Sequence, residues 1–490
     1  MNAARCSHLH GILLALTLLV AACHVTAPYK KPEMPVPEHF QTTSAPQAAD
    51  LSQWWQGFAD PELKELVAKA LQSNLDLKSA ASRIRQAREQ AVIAGAARLP
   101  SVNVAGAGGR LYSKSDPLAA LGGGGAMAGA ASGSTNLHEY ALSLDASWEI
   151  DLFGGVQSAI DAANANTEAQ EWQLRDGEVS LTAEVANDYL SLRALQERRA
   201  LTKTSIEHHE ELLGLAAARA HAGLASELDI NQERSALSRE QAQLPALEAE
   251  AGAATNALAV LLGEAPDTLQ TEFKSQPDTQ EEAAALGYEL PAGLPSDLLR
   301  RRPDVRAAER RLAAASADVG VAVAKLYPSF DLIAAASLAS SSPGNLLAAR
   351  NFAALGIGDV MWPVFAGGRL RANVRASEEA RTQAYLAYQG AVLAALQDAE
   401  NAIIRCATEA RRLESLQRDA AAAGSTLHIA EDEYDSGIVD FTIVLSADAT
   451  DLDARDALVQ SRQALAQARI ALYKALGGGW RATESALAVD

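Results

Sequence analysis

His208-His209-Glu210 is the run that most invites a chemical reading, because imidazoles and carboxylates ligate transition metals. Its spacing argues against shared chelation. Adjacent residues on a helix point about 100° apart, whereas a helical chelating pair stands four residues apart. Gly122 to Gly125 would let backbone approach a phosphate, but neither a lysine nor a following helix completes a phosphate loop. No serine, histidine and aspartate stand in a nucleophile-elbow context. No paired titratable groups mark an enzyme pocket. The sequence therefore predicts no catalytic residue, no metal site and a role other than enzymatic.

The cysteines are more informative. They stand at 6, 23 and 406. Arg5 precedes an apolar run, Gly11 to Val20, that is too short to span a bilayer and suits the core of a signal peptide. Val20-Ala21-Ala22-Cys23 follows and resembles a bacterial lipobox. That resemblance implies removal of residues 1–22, a diacylglycerol thioether on Cys23 and an acyl chain on its new amine. Several acyl chains anchor stably where one is marginal. This covalent lipid is the one non-protein group expected, and no dissociable cofactor is. Cleavage removes Cys6, so Cys406 has no partner for an intramolecular disulfide and reads as a small buried apolar residue. Residues 23–57 follow as a tether, with prolines at 28, 32, 35 and 37 that disfavour helix.

The acidic balance excludes one class of partner. Sixty-one Asp and Glu against 42 Lys and Arg give a formal net charge of -19. Such a chain repels nucleic acid and carries no basic stripe. Aromatics are scarce at 5%. Alanine is abundant, and its small side chain and high helix propensity suit long close-packed helices.

The body is an internal duplication. Setting Asp76 on Asp304 also sets Pro100-Ser101 on Pro328-Ser329, an offset of 228. Beyond the next strands Trp148 matches Trp362, Asn187 matches Asn401, Gly223 matches Gly437 and Gly263 matches Gly477, an offset of 214. The difference, 14 residues, falls on the Gly/Ala/Ser run 121–134, which suits a loop at a hairpin tip. Each repeat reads as a helix, two strands and a helical hairpin. The first repeat spans 58–266, with a helix over 62–98, strands near 101–113 and 137–152 and a hairpin over 155–262. A linker covers 267–290. The second repeat spans 291–479, with strands near 329–341 and 351–365 and a hairpin over 368–476. Residues 480–490 form a tail.

From Tyr140 to Leu152 apolar and polar residues alternate strictly, which fits a half-buried sheet or a transmembrane barrel strand. No proline lies between Gly155 and Gly223 or after Pro363. A helix of about 65 residues would reach about 100 Å. Gly223 and Gly437 each stand just past a helical run and cap it. Four strands per chain cannot close a barrel, and hydrocarbon tolerates no open sheet edge, so chains must associate. Two chains would give eight strands and three would give twelve, and the sequence does not choose. A surface coiled-coil lipoprotein would share the lipid and the helices but not two duplicated strand pairs.

The lipobox, the Asp60-Pro61-Glu62-Leu63 opening, the Leu-Pro-Ser and Tyr-Pro-Ser turns, the Phe-Gly-Gly junction and the two Gly tips occur in order across both repeats. In that order they resemble the TolC-like outer membrane factor family, nearest its NodT-type lipoproteins. The resemblance implies a mainly α fold with transmembrane β. Three internally duplicated protomers would form a 12-stranded barrel and a long periplasmic helical barrel. It implies an outer-membrane exit duct that passively conducts drugs or other small molecules. It also implies a periplasmic adaptor and an inner-membrane resistance-nodulation-division transporter as partners. By position, Gly223, Leu224 and Ser226, with Gly437 and Ile438, become adaptor-docking tips. The family often carries acidic residues after the second tip, at a constricted periplasmic mouth. Here Ile443 and Ser446 stand where aspartates are expected, so Asp229 and Asp440 become the gate candidates. Repulsion among their symmetry copies would raise their pKa values, so that acid favours closure.

Overall fold

The computed structural model describes residues 28–37, 51–58, 60–113, 135–223, 226–266, 268–269 and 300–480. Cys23, the signal peptide 1–22, Leu224, the Gly/Ala/Ser run and most of the linker 267–290 lie outside them. In chain order the elements are α1 (Pro61–Ser73), α2 (Leu75–Ala96), β1 (Ser101–Ser113), β2 (Thr135–Glu149), α3 (Gly155–His221) and α4 (Glu227–Leu261). The second repeat supplies α5 (Pro303–Ala324), β3 (Ser329–Ser340), β4 (Phe352–Met361), α6 (Arg369–Asp435) and α7 (Phe441–Ala475). The paired helices match in length: α3 and α6 have 67 residues each, and α4 and α7 have 35 each.

The chain divides into two compact units. Among the described residues, one comprises 28–32, 86–113, 135–167 and 310–385. It holds a four-stranded antiparallel sheet in the order β1-β2-β3-β4. The register pairs Leu144 with Val104 on one side and Ala336 on the other, and pairs Leu332 with both Trp148 and Gly358. Because side chains alternate, one face collects Val102, Val104, Leu142, Leu144, Trp148 and Leu332. All six are exposed in the single chain. The other face carries Asn103, Asp145 and Ser147, and aligns Glu149, Asp331 and Asp359 across three neighbouring strands. This division is weaker in the second repeat, where Ile333, Leu355 and Ile357 share the polar face. Strand β2 ends at Glu149, short of the expected 152, and Ile150 adds one bond to the Phe330 carbonyl. Here Tyr29 packs against Ala165, Ala313 and Ala314.

The other unit comprises, among the described residues, 33–37, 51–58, 60–85, 168–223, 226–266, 268–269, 300–309 and 386–480, and is mainly helical. The expected helix over 62–98 is broken at Asn74. This residue adopts φ -54° and ψ 133°, and its Oδ1 accepts from the N–H groups of Asp76 and Leu77. A side chain that satisfies the first orphan donors of a helix starts a new one there. Asp60 caps α1 in the same way through the N–H groups of Glu62 and Leu63.

Two expected boundaries move. Residues 51–58 belong to the folded body rather than the tether, because Trp54, Trp55 and Phe58 are buried in the core with Leu63, Val67, Tyr189 and Leu258. Trp54 stacks on Tyr473 with ring centroids 5.4 Å apart. Trp480 belongs to the body rather than the tail, since its indole N–H donates to the Arg301 carbonyl at 3.1 Å and its ring meets Trp172 edge-on. Burying a large ring outweighs the entropy of fixing a short terminal segment.

Candidate functional site: the helical tips

The two hairpin tips are built alike. After α3, Gly223 takes φ +72° and its N–H donates to the Ala220 carbonyl at 3.0 Å. After α6, Gly437 takes φ +72° and donates to the Tyr434 carbonyl at 2.9 Å, while Ile438 donates to the Glu433 carbonyl at 2.8 Å. This Schellman pattern needs a left-handed residue, which glycine supplies without a Cβ penalty.

The starts of the returning helices differ. Ser226 caps α4 in a capping box: Asp229 N–H donates to Ser226 Oγ at 3.3 Å, and Ser226 N–H donates to Asp229 Oδ2 at 2.9 Å. The Asp229 carboxylate is thus engaged in holding a helix start. Asp440 occupies the equivalent cap of α7, but its side chain makes no capping hydrogen bond. Apolar side chains stand free around both: Ile438 is 71% exposed, Leu228 63% and Ile443 51%.

The tips lie side by side. Arg219 of α3 reaches the C-terminus of α6. Its guanidinium donates to the carbonyls of Tyr434 at 3.1 Å and Asp435 at 3.4 Å, pairs with Asp435 Oδ1 at 3.2 Å, and stacks 4.2 Å from the Tyr434 ring centroid. A cation there satisfies orphan carbonyls and the negative helix end together. Beneath it Tyr434, Phe441, Val444, Leu212 and Ala216 form a small core. Sequence reasoning missed Arg219. The repeat offset was the available signal, since 435 minus 219 is 216, close to the 214 that relates the two hairpins.

The structure also revises the histidine pair. His208 and His209 diverge along the helix, yet both rings reach the Asp448 carboxylate of α7. Their Nε2 atoms lie 3.6 and 3.3 Å from its two oxygens. Elsewhere a cavity of about 750 Å³ is lined by Arg302, Asp398, Arg405, Glu409 and Lys474. Its charges are partly paired, with Arg302 donating to Asp398 at 3.0 Å.

The duplicated frame matches a known family. The model of the outer membrane efflux protein family fits residues 66–264 and 294–478, one segment per repeat. The pyoverdine export outer membrane protein OpmQ of Pseudomonas aeruginosa is 34% identical over 480 residues, covering 97% of this chain and 98% of its own length. The toluene efflux pump outer membrane protein TtgC of Pseudomonas putida is 31% identical over 95% of each chain. Among solved structures, the outer-membrane channel OprN superposes with a TM-score of 0.83 at 32% identity, covering 94% of this chain and all of that one. The channel CusC superposes with a TM-score of 0.81 at 27% identity. Two matched repeats, each ending in a helical hairpin, and relatives that align from end to end leave one reading: the chain belongs to the outer membrane efflux protein family and is the outer-membrane channel component of an export system.

Proposed function

We propose that three copies of this chain close their sheets into a 12-stranded barrel in the outer membrane. The duct so formed passively passes small organic molecules delivered by a periplasmic adaptor and an inner-membrane resistance-nodulation-division transporter. One observation carries this reading: the sheet has two open edges, β1 and β4, and an exposed face made of Val102, Val104, Leu142, Leu144, Trp148 and Leu332. In hydrocarbon each unpaired backbone group costs several kcal/mol, roughly, so the edges must pair between protomers with the apolar face toward lipid. The polar face, with Glu149, Asp331 and Asp359, then lines water. Relatives named for pyoverdine export and for toluene efflux support small organic molecules as cargo. Acylation at Cys23 adds a second anchor, and Gly223, Leu224, Ser226, Gly437 and Ile438 are the adaptor-docking tips.

For the gate, Asp440 is the better candidate of the two. Asp229 is held in its capping box, whereas Asp440 makes no such bond. The exposed Ile438 and Ile443 beside it favour a second reading, in which the constriction is apolar. Planar-bilayer conductance of the purified lipoprotein decides, with Asp440→Ala and Asp229→Ala beside wild type. Small acid-sensitive currents that enlarge in Asp440→Ala support the acidic gate. Unchanged mutants move the gate to the isoleucines. The absence of any membrane-embedded trimer overturns the duct assembly itself.

A further inference from the structure

A buried patch of charge joins four helices a few turns from the tips. His209 of α3 and Glu233 of α4 are 4% and 0% exposed. His209 Nδ1 donates to Glu233 Oε1 at 2.8 Å, and its Nε2 lies 3.3 Å from Asp448 Oδ2 of α7. His208 adds Nε2 at 3.3 Å from Glu431 Oε1 of α6. Glu240 of α4 and Asp451 and Asp453 of α7 bring more negative charge to the patch. The positive charges facing them are Arg239 and Arg455, the latter paired with Asp451 at 2.7 Å. Glu233 Oε2, Glu240 Oε2 and Asp451 Oδ1 are buried without a hydrogen-bond donor. A cavity of about 310 Å³, lined by His209, Arg239, Glu240, Leu445 and Asp448, opens beside the imidazole.

The geometry sets a proton requirement. Both nitrogens of His209 face carboxylates from different hairpins. Against two ionised carboxylates a neutral imidazole keeps its Nδ1 hydrogen bond to Glu233 but turns a lone pair toward Asp448; only imidazolium attracts both. We propose that His209 is a proton-operated clamp that fastens the α3–α4 hairpin to the α6–α7 hairpin beside their tips. It holds as imidazolium and releases when the ring loses its proton through the adjoining cavity.

The electrostatics agree in sign. Burial alone would lower the His209 pKa, but the Glu233 hydrogen bond and the charges of Asp448, Glu233 and Glu240 outweigh it and hold the ring above its ordinary value. Burial raises Asp448 and Glu240 despite the opposing pull of His209. His209 therefore binds its proton more tightly in the paired hairpins than in separated ones. The His209 contribution is complete below the ordinary histidine value of 6.5 and is lost as pH climbs through the higher folded value. The hairpins are therefore tight in mild acid and loose in mild alkali.

This clamp lies within one chain and does not depend on how the duct is assembled or what it carries, so its test reads hairpin opening rather than conductance. Hydrogen exchange of the full-length protein in detergent, corrected for intrinsic rates, is compared at about pH 6 and about pH 8.5. In wild type, amides of α3 around His209 and of α7 around Asp448 should open roughly tenfold more at the higher pH. His209→Gln should open readily at both pH values, whereas His428→Gln, at a 76% exposed side chain, should keep the wild-type step. Should His209→Gln not fold, Glu233→Gln removes one of the charges that hold the imidazolium and should move the midpoint to lower pH. A step that persists in His209→Gln, a midpoint unmoved in Glu233→Gln, or equal protection of wild type at both pH values would overturn the clamp.

Discussion

The side-chain amide of Asn74 donates to the carbonyl of Leu261 at 3.0 Å, and the second repeat reproduces this bond with different chemistry. Arg302 stands 228 residues after Asn74, and it donates to the carbonyl of Ala475, which stands 214 after Leu261, at 3.3 Å. One position in each repeat thus ties the end of a returning helix to the start of the opening one. Adjacent glycines make the approach possible. A Cβ on Gly263 would lie 2.8 Å from the Ser73 carbonyl oxygen, and one on Gly477 would lie 3.0 Å from the backbone of Arg301 and Arg302.

That contact separates two kinds of glycine. Gly223 and Gly263 have nearly equal φ, +72° and +71°, but a Cβ on Gly223 meets nothing within 4 Å. Gly223→Ala should therefore cost only the left-handed strain, about 1–2 kcal/mol. Gly263→Ala adds a clash with backbone and should cost more, about 3 kcal/mol or above. Denaturant unfolding of the two variants checks the order. Equal losses would show that the helix ends part readily.

Trp148 and Trp362 provide a second matched pair. Trp148 Nε1 donates to the Arg98 carbonyl at 2.9 Å, and Trp362 Nε1 donates to the Leu326 carbonyl at 3.2 Å. Each bond pins the end of a strand to the turn that closes the preceding helix. Trp148→Phe keeps most of the ring and removes the donor, so it should lower stability by about 1 kcal/mol. Thermal dissociation of the detergent-solubilised oligomer, measured beside Trp148→Ala, separates the bond from the ring. A Phe variant as unstable as the Ala variant would give the effect to the hydrogen bond alone.

Tyr189 is fully buried and donates to Asp60 Oδ2 at 2.7 Å, while accepting from Arg193 Nε at 3.0 Å. Burial and the Asp60 bond push its phenol pKa well above the ordinary value, so it stays protonated in any usable buffer. Asp60 also caps α1 with its other oxygen. Tyr189→Phe should cost about 1–2 kcal/mol. Asp60→Ala should cost roughly 1 kcal/mol more, since it removes the cap as well. A Tyr189→Phe loss equal to the Asp60→Ala loss would mean that the cap contributes nothing, and urea titration of both variants reads the difference.

These pairs show what the chain makes legible and what it hides. Offsets of 228 and 214 align Asn74 with Arg302 and Trp148 with Trp362, because duplicated backbone geometry leaves its mark in Gly, Pro and Trp. Strand β2 is readable because a half-exposed strand must alternate. The break at Asn74 is hidden: apolar spacing continues through it, and only the cap geometry reveals it. The His209 cluster is hidden more deeply. Local spacing rejects a metal pair, but the partners that matter, Glu233 and Asp448, lie on other helices, and Asp448 is 239 residues away along the chain. Long-range convergence of this kind leaves no periodic trace.

The proposed lipid anchor is testable through the cysteines. Cys406 is buried with Ala399, Ile403 and Leu472, and burial pushes its thiol up to about 11 despite the opposing pull of Arg469. The reactive species is the thiolate, so the native protein should resist alkylation at about pH 8, where an ordinary thiol near 8.5 reacts. On the proposed lipidation, processing before Cys23 would remove Cys6, and acylation would block the Cys23 sulfur. Denatured mature protein should then release a single reactive thiol per chain, located at Cys406. Thiol counting with and without denaturant, followed by mapping of the alkylated peptide, gives the answer. Two thiols after denaturation, with Cys23 alkylated, would remove the lipid anchor while leaving the barrel reading intact.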